Sequence, residues 1–179
     1  MTRTKYIYSG GWAFTEQQDM DRLREHAREG WLLDHVQFAG YVLRKGEPQD
    51  LEYSLDYQKH ADEEYFSIFE MSGWTHVCSV GNETHIFSAP AGTVPIYTDK
   101  MTTVEKYKRQ KRVMGKIALP ALLITLLLFS IGMLSDQSWV PRVIRDACGV
   151  LSYPSGVVLL FTGMPYIGYS YKLIRLRRG

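Results

Sequence analysis

Only two cysteines, Cys78 and Cys148, occur in 179 residues, so a disulfide scaffold is excluded. Seven prolines and fifteen glycines are too few for a fibrous chain. The sequence has no Gly-rich phosphate loop, no nucleophile elbow and no His-Glu-x-x-His pair. Met1–Trp12 carries Arg3 and Lys5 and lacks the apolar core of a secretory leader, so the following domain is expected to stay in the cytosol with reduced thiols.

What is present is divided unevenly. Residues 1–100 hold nine Lys/Arg against sixteen Asp/Glu, a net of −7, and residues 101–179 hold twelve against three, a net of +9. The overall charge of +2 and mean hydropathy of −0.20 therefore average two unlike halves. A basic half beside an acidic one points to a lipid or nucleic-acid surface.

The basic half contains two charge-free runs. Residues 117–135 are mostly Leu, Ile, Ala, Phe and Met, and at roughly 1.5 Å per residue they match the hydrocarbon thickness of about 30 Å. Residues 147–171 form the second run, with Gly and Pro of the kind that spanning helices tolerate. Neither run contains Asp, Glu, Lys, Arg or His, which argues against an ion or proton path.

Lys106, Lys108, Arg109, Lys111, Arg112 and Lys116 precede the first run, and Lys172, Arg175, Arg177 and Arg178 follow the second. Only Arg142 and Arg145 lie between them. Ten basic residues against two predict both termini in the cytoplasm of an inner-membrane protein. The six before the first run are expected to lie on an anionic lipid surface, at roughly 1 kcal/mol each. Nucleic acid is not expected as a partner. Gly149, Gly156 and Gly163 recur every seven residues and form a small-residue stripe. Two readings stand for it: packing against the first span, or the seam of a homodimer or of a contact with another membrane protein.

The acidic half reads as alternating strands and helices. Lys5–Ser9 is strand-like, and Thr15 with Gln18 forms a capping box that opens a helix with Met20, Leu23 and Ala27 on its buried stripe. Trp31–Leu43 reads as one strand bent at Ala39-Gly40. Leu51–Tyr57 alternates apolar and polar residues. A helix follows over 62–72. A hairpin then joins Trp74–Val80 to Glu83–Ser88 through Gly81-Asn82. Helix–Gly–Trp–strand occurs twice, at Gly30-Trp31 and Gly73-Trp74, as in the duplicated units of a ferredoxin-like sandwich.

The reading is thus α+β. A ferredoxin-like antiparallel sheet with two helices spans 1–88, and a linker spans 89–104. A basic juxtamembrane helix covers 105–116, transmembrane helices cover 117–135 and 147–171 around an external loop at 136–146, and a basic tail occupies 172–179. The acidic domain and the basic neck are expected to attract each other in a salt-sensitive way.

Trp31-Leu32, Tyr53-Ser54-Leu55-Asp56-Tyr57, Gly73-Trp74 and Ile96-Tyr97-Thr98-Asp99 ahead of a basic helix resemble a bacterial membrane family known as domain of unknown function 2812. The likeness covers roughly residues 10–110. It implies a two-span tail and a context beside transcription regulators of the PadR type, and it supplies no active site. Ile86-Phe87-Ser88-Ala89-Pro90 departs from the more basic run that the family leads one to expect there.

Three groups of residues are candidates for function. Trp31, Tyr53, Asp56, Tyr57 and Trp74 are aromatic and acidic positions expected to face a ligand or partner on the open sheet face; the competing reading is a packed core. His76, Cys78 and His85 fall on one face of the predicted hairpin, where two imidazoles and a thiolate suit zinc; the competing reading is a small buried thiol and satisfied histidines. Glu52 and Asp56 with 62–64 are more simply a solvated acidic face than an acid/base pair. No cofactor is called for. The expectation is a non-enzymatic, membrane-anchored cytosolic sensing or interaction module of an envelope or regulator-linked response. The alternative is an accessory subunit of a transport or immunity system acting through its spans.

Overall fold

The computed structural model describes residues 3–96, 100–133 and 141–178. Tyr97–Asp99 of the family-like motif lie outside these residues, as do 136–140 of the expected external loop, Trp139 included, while 142–146 of that loop are already helical. The chain divides into two compact units, residues 1–106 and 107–179.

The first unit is α+β. Its elements are β1 (Thr4–Tyr8), α1 (Trp12–Arg28), β2 (Trp31–Gln37), β3 (Gly40–Lys45), β4 (Leu51–Tyr57), α2 (Glu63–Met71), β5 (Thr75–Val80) and β6 (Thr84–Pro90). The strands form two antiparallel three-stranded sheets, ordered β1-β3-β2 and β4-β6-β5, with β2 and β5 as neighbouring edges. The single ferredoxin-like sheet expected from the element order is therefore replaced by two. The strand count also differs from the expectation, and for that the reason lies at Phe38-Ala39. Phe38 adopts φ 50, so the segment read as one bent strand folds back as the β2–β3 hairpin.

Alternation decides burial on β4. Tyr53, Leu55 and Tyr57 are buried, as the pattern predicts, with Leu55 paired to the buried Ile86 of β6, whereas Phe87 belongs to the cluster of Trp74 and Ala89 that the aromatic residues of α2 pack against. α1 covers β2 and β4, and α2 lies on β5. Asp62 caps α2 by accepting a bond from the Tyr65 backbone N–H at 2.9 Å. α1 starts three residues before the expected Thr15, which instead sits at a break in the helix (φ −116, ψ 19).

The helix α3 (Lys100–Met133) also begins earlier than the expected residue 105, and its first residues belong to the first unit. The second unit is the rest of α3 with α4 (Arg142–Arg178). The two helices run antiparallel. Tyr107 meets Tyr169, Lys111 lies over Tyr166, Thr125 hydrogen-bonds Ser155 at 2.6 Å, and Gly132 approaches Gly149. Both helices are long and apolar enough to cross a membrane, with Leu123, Leu127, Val150 and Phe161 among their exposed side chains.

Candidate functional site

A cleft of about 210 Å³ opens where the end of β1 meets the β2–β3 turn. Its walls include Trp12, Phe38 and Tyr41, with Ser9, Gly11 and Gly40 between them. Two glycines make it possible. Gly11 turns the chain into α1 at φ +90. At Gly40 a Cβ would fall 2.3 Å from the carbonyl oxygen of Ile7, so only glycine lets β3 approach β1 so closely. The Ser9 N–H donates to Ala39 O at 2.8 Å and fastens the two rims together.

The floor is organised by one carboxylate. Asp19, 2% exposed, accepts the hydroxyl of Ser9 at 2.5 Å, that of Tyr41 at 3.2 Å and the Gly10 N–H at 3.4 Å. Trp12 Nε1 donates to the Tyr41 hydroxyl at 2.8 Å, so indole, phenol and carboxylate form a directional chain. Arg22 approaches Asp19 at 3.8 Å from the solvent side. Burial, and then the charge of Asp19, push the Tyr41 phenol well above its ordinary range and keep it a donor. Phe38 is 98% exposed at the rim. The cleft thus offers exposed and fixed aromatic surface above a pre-set polar floor, the usual make-up of a small-ligand site.

The sequence reading missed this cleft. The signal was present: Glu16 and Asp19 share the helical face of Met20, Leu23 and Ala27, and an acidic residue on an apolar stripe asks for buried partners.

The residues expected to form a pocket lie elsewhere. Tyr53, Asp56, Tyr57 and Trp74 are buried, and none of them lines the Trp12–Phe38–Tyr41 cleft. The Tyr53 hydroxyl accepts from the Leu33 N–H at 3.4 Å, and burial raises its pKa. Asp56 accepts the Tyr57 N–H at 2.6 Å and the Tyr65 hydroxyl at 2.8 Å. The Trp74 indole donates to Val94 O at 2.9 Å, within a cluster that holds Phe66, Phe69, Phe87 and Ile96. Trp31 is half-buried, and the Lys45 ammonium lies 4.9 Å from its ring centre.

The predicted metal triad does not assemble. Val80 pairs with Thr84, so the turn has three residues, and a bulge falls between His76 and Cys78. Cys78 is thereby placed opposite Ile86, and its thiol neighbours Val36 and Asp34 of β2, where burial pushes it up to about 11. Ser79 takes its place opposite His85. The Ser79 hydroxyl lies 2.8 Å from both His85 Nδ1 and His76 Nε2, and His85 Nε2 donates to Gln58 O at 3.0 Å. Among the described residues, no three His, Cys, Asp or Glu side chains are grouped to hold a metal ion. Burial, and then the neighbouring His85, lower the pKa of His76.

Of the six basic residues assigned to a lipid surface, Lys108, Arg109, Arg112 and Lys116 are exposed, and Lys111 is half-buried under Tyr166. Lys106 departs from the set. It is 4% exposed, 2.5 Å from Glu16, and donates to Leu55 O. Salt screens such a buried pair poorly, unlike the surface attraction expected between domain and neck. The glycine stripe is also divided. The backbone of Gly149 is approached, since a Cβ on Gly132 would meet Gly149 Cα at 3.4 Å, but a Cβ on Gly149 or Gly156 meets nothing within 4 Å and one on Gly163 meets only Leu159 of its own helix.

An α+β domain with an aromatic cleft, continued into two apolar antiparallel helices, defines the class of protein. The family described as "Protein of unknown function (DUF2812)" matches residues 15–119, and the chain belongs to that family. No curated protein and no solved structure matches it.

Proposed function

We propose that this protein is a membrane-anchored, non-enzymatic sensing module whose soluble domain binds a small apolar ligand in the Trp12–Phe38–Tyr41 cleft. The observation that carries this reading is the buried Asp19 hub. It fixes Ser9, Tyr41 and, through Tyr41, the indole of Trp12 around an opening that no side chain among the described residues fills. The two apolar helices supply the anchor, and the ten-to-two distribution of basic residues supports a cytoplasmic position for the domain. The PadR-type context implied by the family fits a module that reports to a regulator.

The reading is tested with 5-fluorotryptophan in the full chain. Its four tryptophans give four ¹⁹F signals, and Trp12→Phe identifies one of them. Small-molecule fractions of a cell extract are expected to shift the Trp12 signal and leave that of buried Trp74 in place. If no fraction moves the Trp12 signal, the ligand reading fails. The second reading, an accessory subunit acting through its spans, is supported by the open faces of Gly156 and Gly163.

A further inference from the structure

Trp12, Glu16 and Asp19 are four and three residues apart, so α1 carries all three on one side. Trp12 forms a wall of the cleft and Asp19 its floor. Glu16 lies between them, 6% exposed, and holds Lys106 at 2.5 Å. The Lys106 ammonium also donates to Leu55 O and lies 5.4 Å from the ring centre of Tyr57. Lys106 belongs to α3, the helix that runs on into the first apolar segment. The break of α1 falls at Thr15, between the cleft wall and Glu16.

We infer that the Glu16–Lys106 pair is a latch controlled by the cleft, so that an occupant displacing Trp12 loosens Glu16 and frees the head of α3. The inference rests on the reading of the cleft as a binding site. Trp12 is tied to the helix body through Tyr41 and Asp19. An occupant that takes the indole away from Tyr41 turns the first helical segment about Thr15, and Glu16 is the next residue along. A buried ion pair does not stretch gradually, because partly separated charges in a low-dielectric interior lose much of their attraction without regaining water. The pair is therefore closed or open, and a small movement of Trp12 becomes a two-state change at the start of the membrane helix. No ligand contact with Lys106 is required.

The test is lysine acetylation of the full chain in lipid nanodiscs, resolved by mass spectrometry. In the wild type, Lys106 is expected to react at least roughly tenfold more slowly than Lys59 and Lys116, a factor equivalent to about 1.4 kcal/mol of opening. Glu16→Gln sets the open limit. Trp12→Ala and the near-isosteric Tyr41→Phe are expected to speed Lys106 several-fold towards that limit, with Lys59 unchanged. Lys106 remaining slow in Tyr41→Phe while Glu16→Gln speeds it overturns the latch. Should Trp12→Ala speed every lysine of the domain, it has unfolded, and Tyr41→Phe alone decides. A latch that responds to these variants, beside a ¹⁹F signal that ignores every extract, keeps the coupling and overturns only the ligand reading.

Discussion

The phenol of Tyr41 donates to the buried carboxylate of Asp19 at 3.2 Å, on a residue pair separated by the whole of β2 and the β2–β3 turn. Asp19 also receives Ser9 and the Gly10 N–H, so three donors depend on one side chain. Asp19→Ala removes their acceptor. Of these donors only the Tyr41 hydroxyl is buried, so the domain is expected to lose about 1–3 kcal/mol, the cost of one buried group left unsatisfied. Asp19→Asn keeps one acceptor oxygen and is expected to lose less. Urea unfolding followed by circular dichroism measures both, and equal losses would mean that shape rather than acceptance matters at this site.

The partner of Glu16 comes from beyond the segment that reads as the soluble domain. A chain ending at residue 100 lacks Lys106, and its buried Glu16 loses the ammonium that faces it. Removing one member of a buried pair costs about 3–5 kcal/mol. A chain ending at residue 116 is therefore expected to be more stable than one ending at 100, and Lys106→Met within the longer chain, which keeps Glu16 covered, should cost about 3–5 kcal/mol. If Lys106→Met leaves the unfolding midpoint unchanged, the pair contributes nothing net.

Strand β4, helix α2 and both apolar helices were legible because each rests on local periodicity. Tyr53, Leu55 and Tyr57 alternate, and residues 117–133 lack charge over a long helical run. The cleft left only the trace of Glu16 and Asp19 on an apolar stripe, and two local irregularities hid the strand arrangement. Phe38 adopts a positive φ that its residue type does not advertise, so one strand became two. The bulge between His76 and Cys78 reversed the alternation on which the metal triad depended. Lys106 read as one member of a basic run, since nothing local separates it from Lys108 or Arg109; only the tertiary position of Glu16 does so.

The half-buried His76 is expected to make the fold sensitive to acid. His76 has a pKa below its ordinary 6.5, first through burial and then through His85. A base whose folded pKa is depressed contributes its stability above the unfolded pKa, and that contribution is lost as pH falls through 6.5 towards the folded value, because the unfolded chain takes up the proton first. His76→Gln removes the titration. The unfolding midpoints of wild type and variant are expected to run parallel above pH 7, and below about pH 6 the wild type is expected to fall relative to the variant. Parallel curves across the whole range would show that His76 does not carry the acid sensitivity.

The glycine pair between α3 and α4 separates two kinds of small residue. A Cβ on Gly132 would sit 3.4 Å from Gly149 Cα, so a methyl group just fits and a longer side chain has to push the helices apart. A Cβ on Gly156 has nothing within 4 Å. Close backbone approach is what small residues give to helices in lipid, where no hydrophobic force drives helix against helix. Thr125 and Ser155, whose hydroxyls are 2.6 Å apart, report the spacing directly. With Cys78 and Cys148 replaced by Ser, Thr125→Cys and Ser155→Cys are expected to form a disulfide in nanodiscs. Gly132→Leu should reduce its yield strongly, and Gly156→Leu should leave it unchanged. The opposite order would show that α4 packs on α3 through the Gly149–Gly156–Gly163 stripe rather than through Gly132.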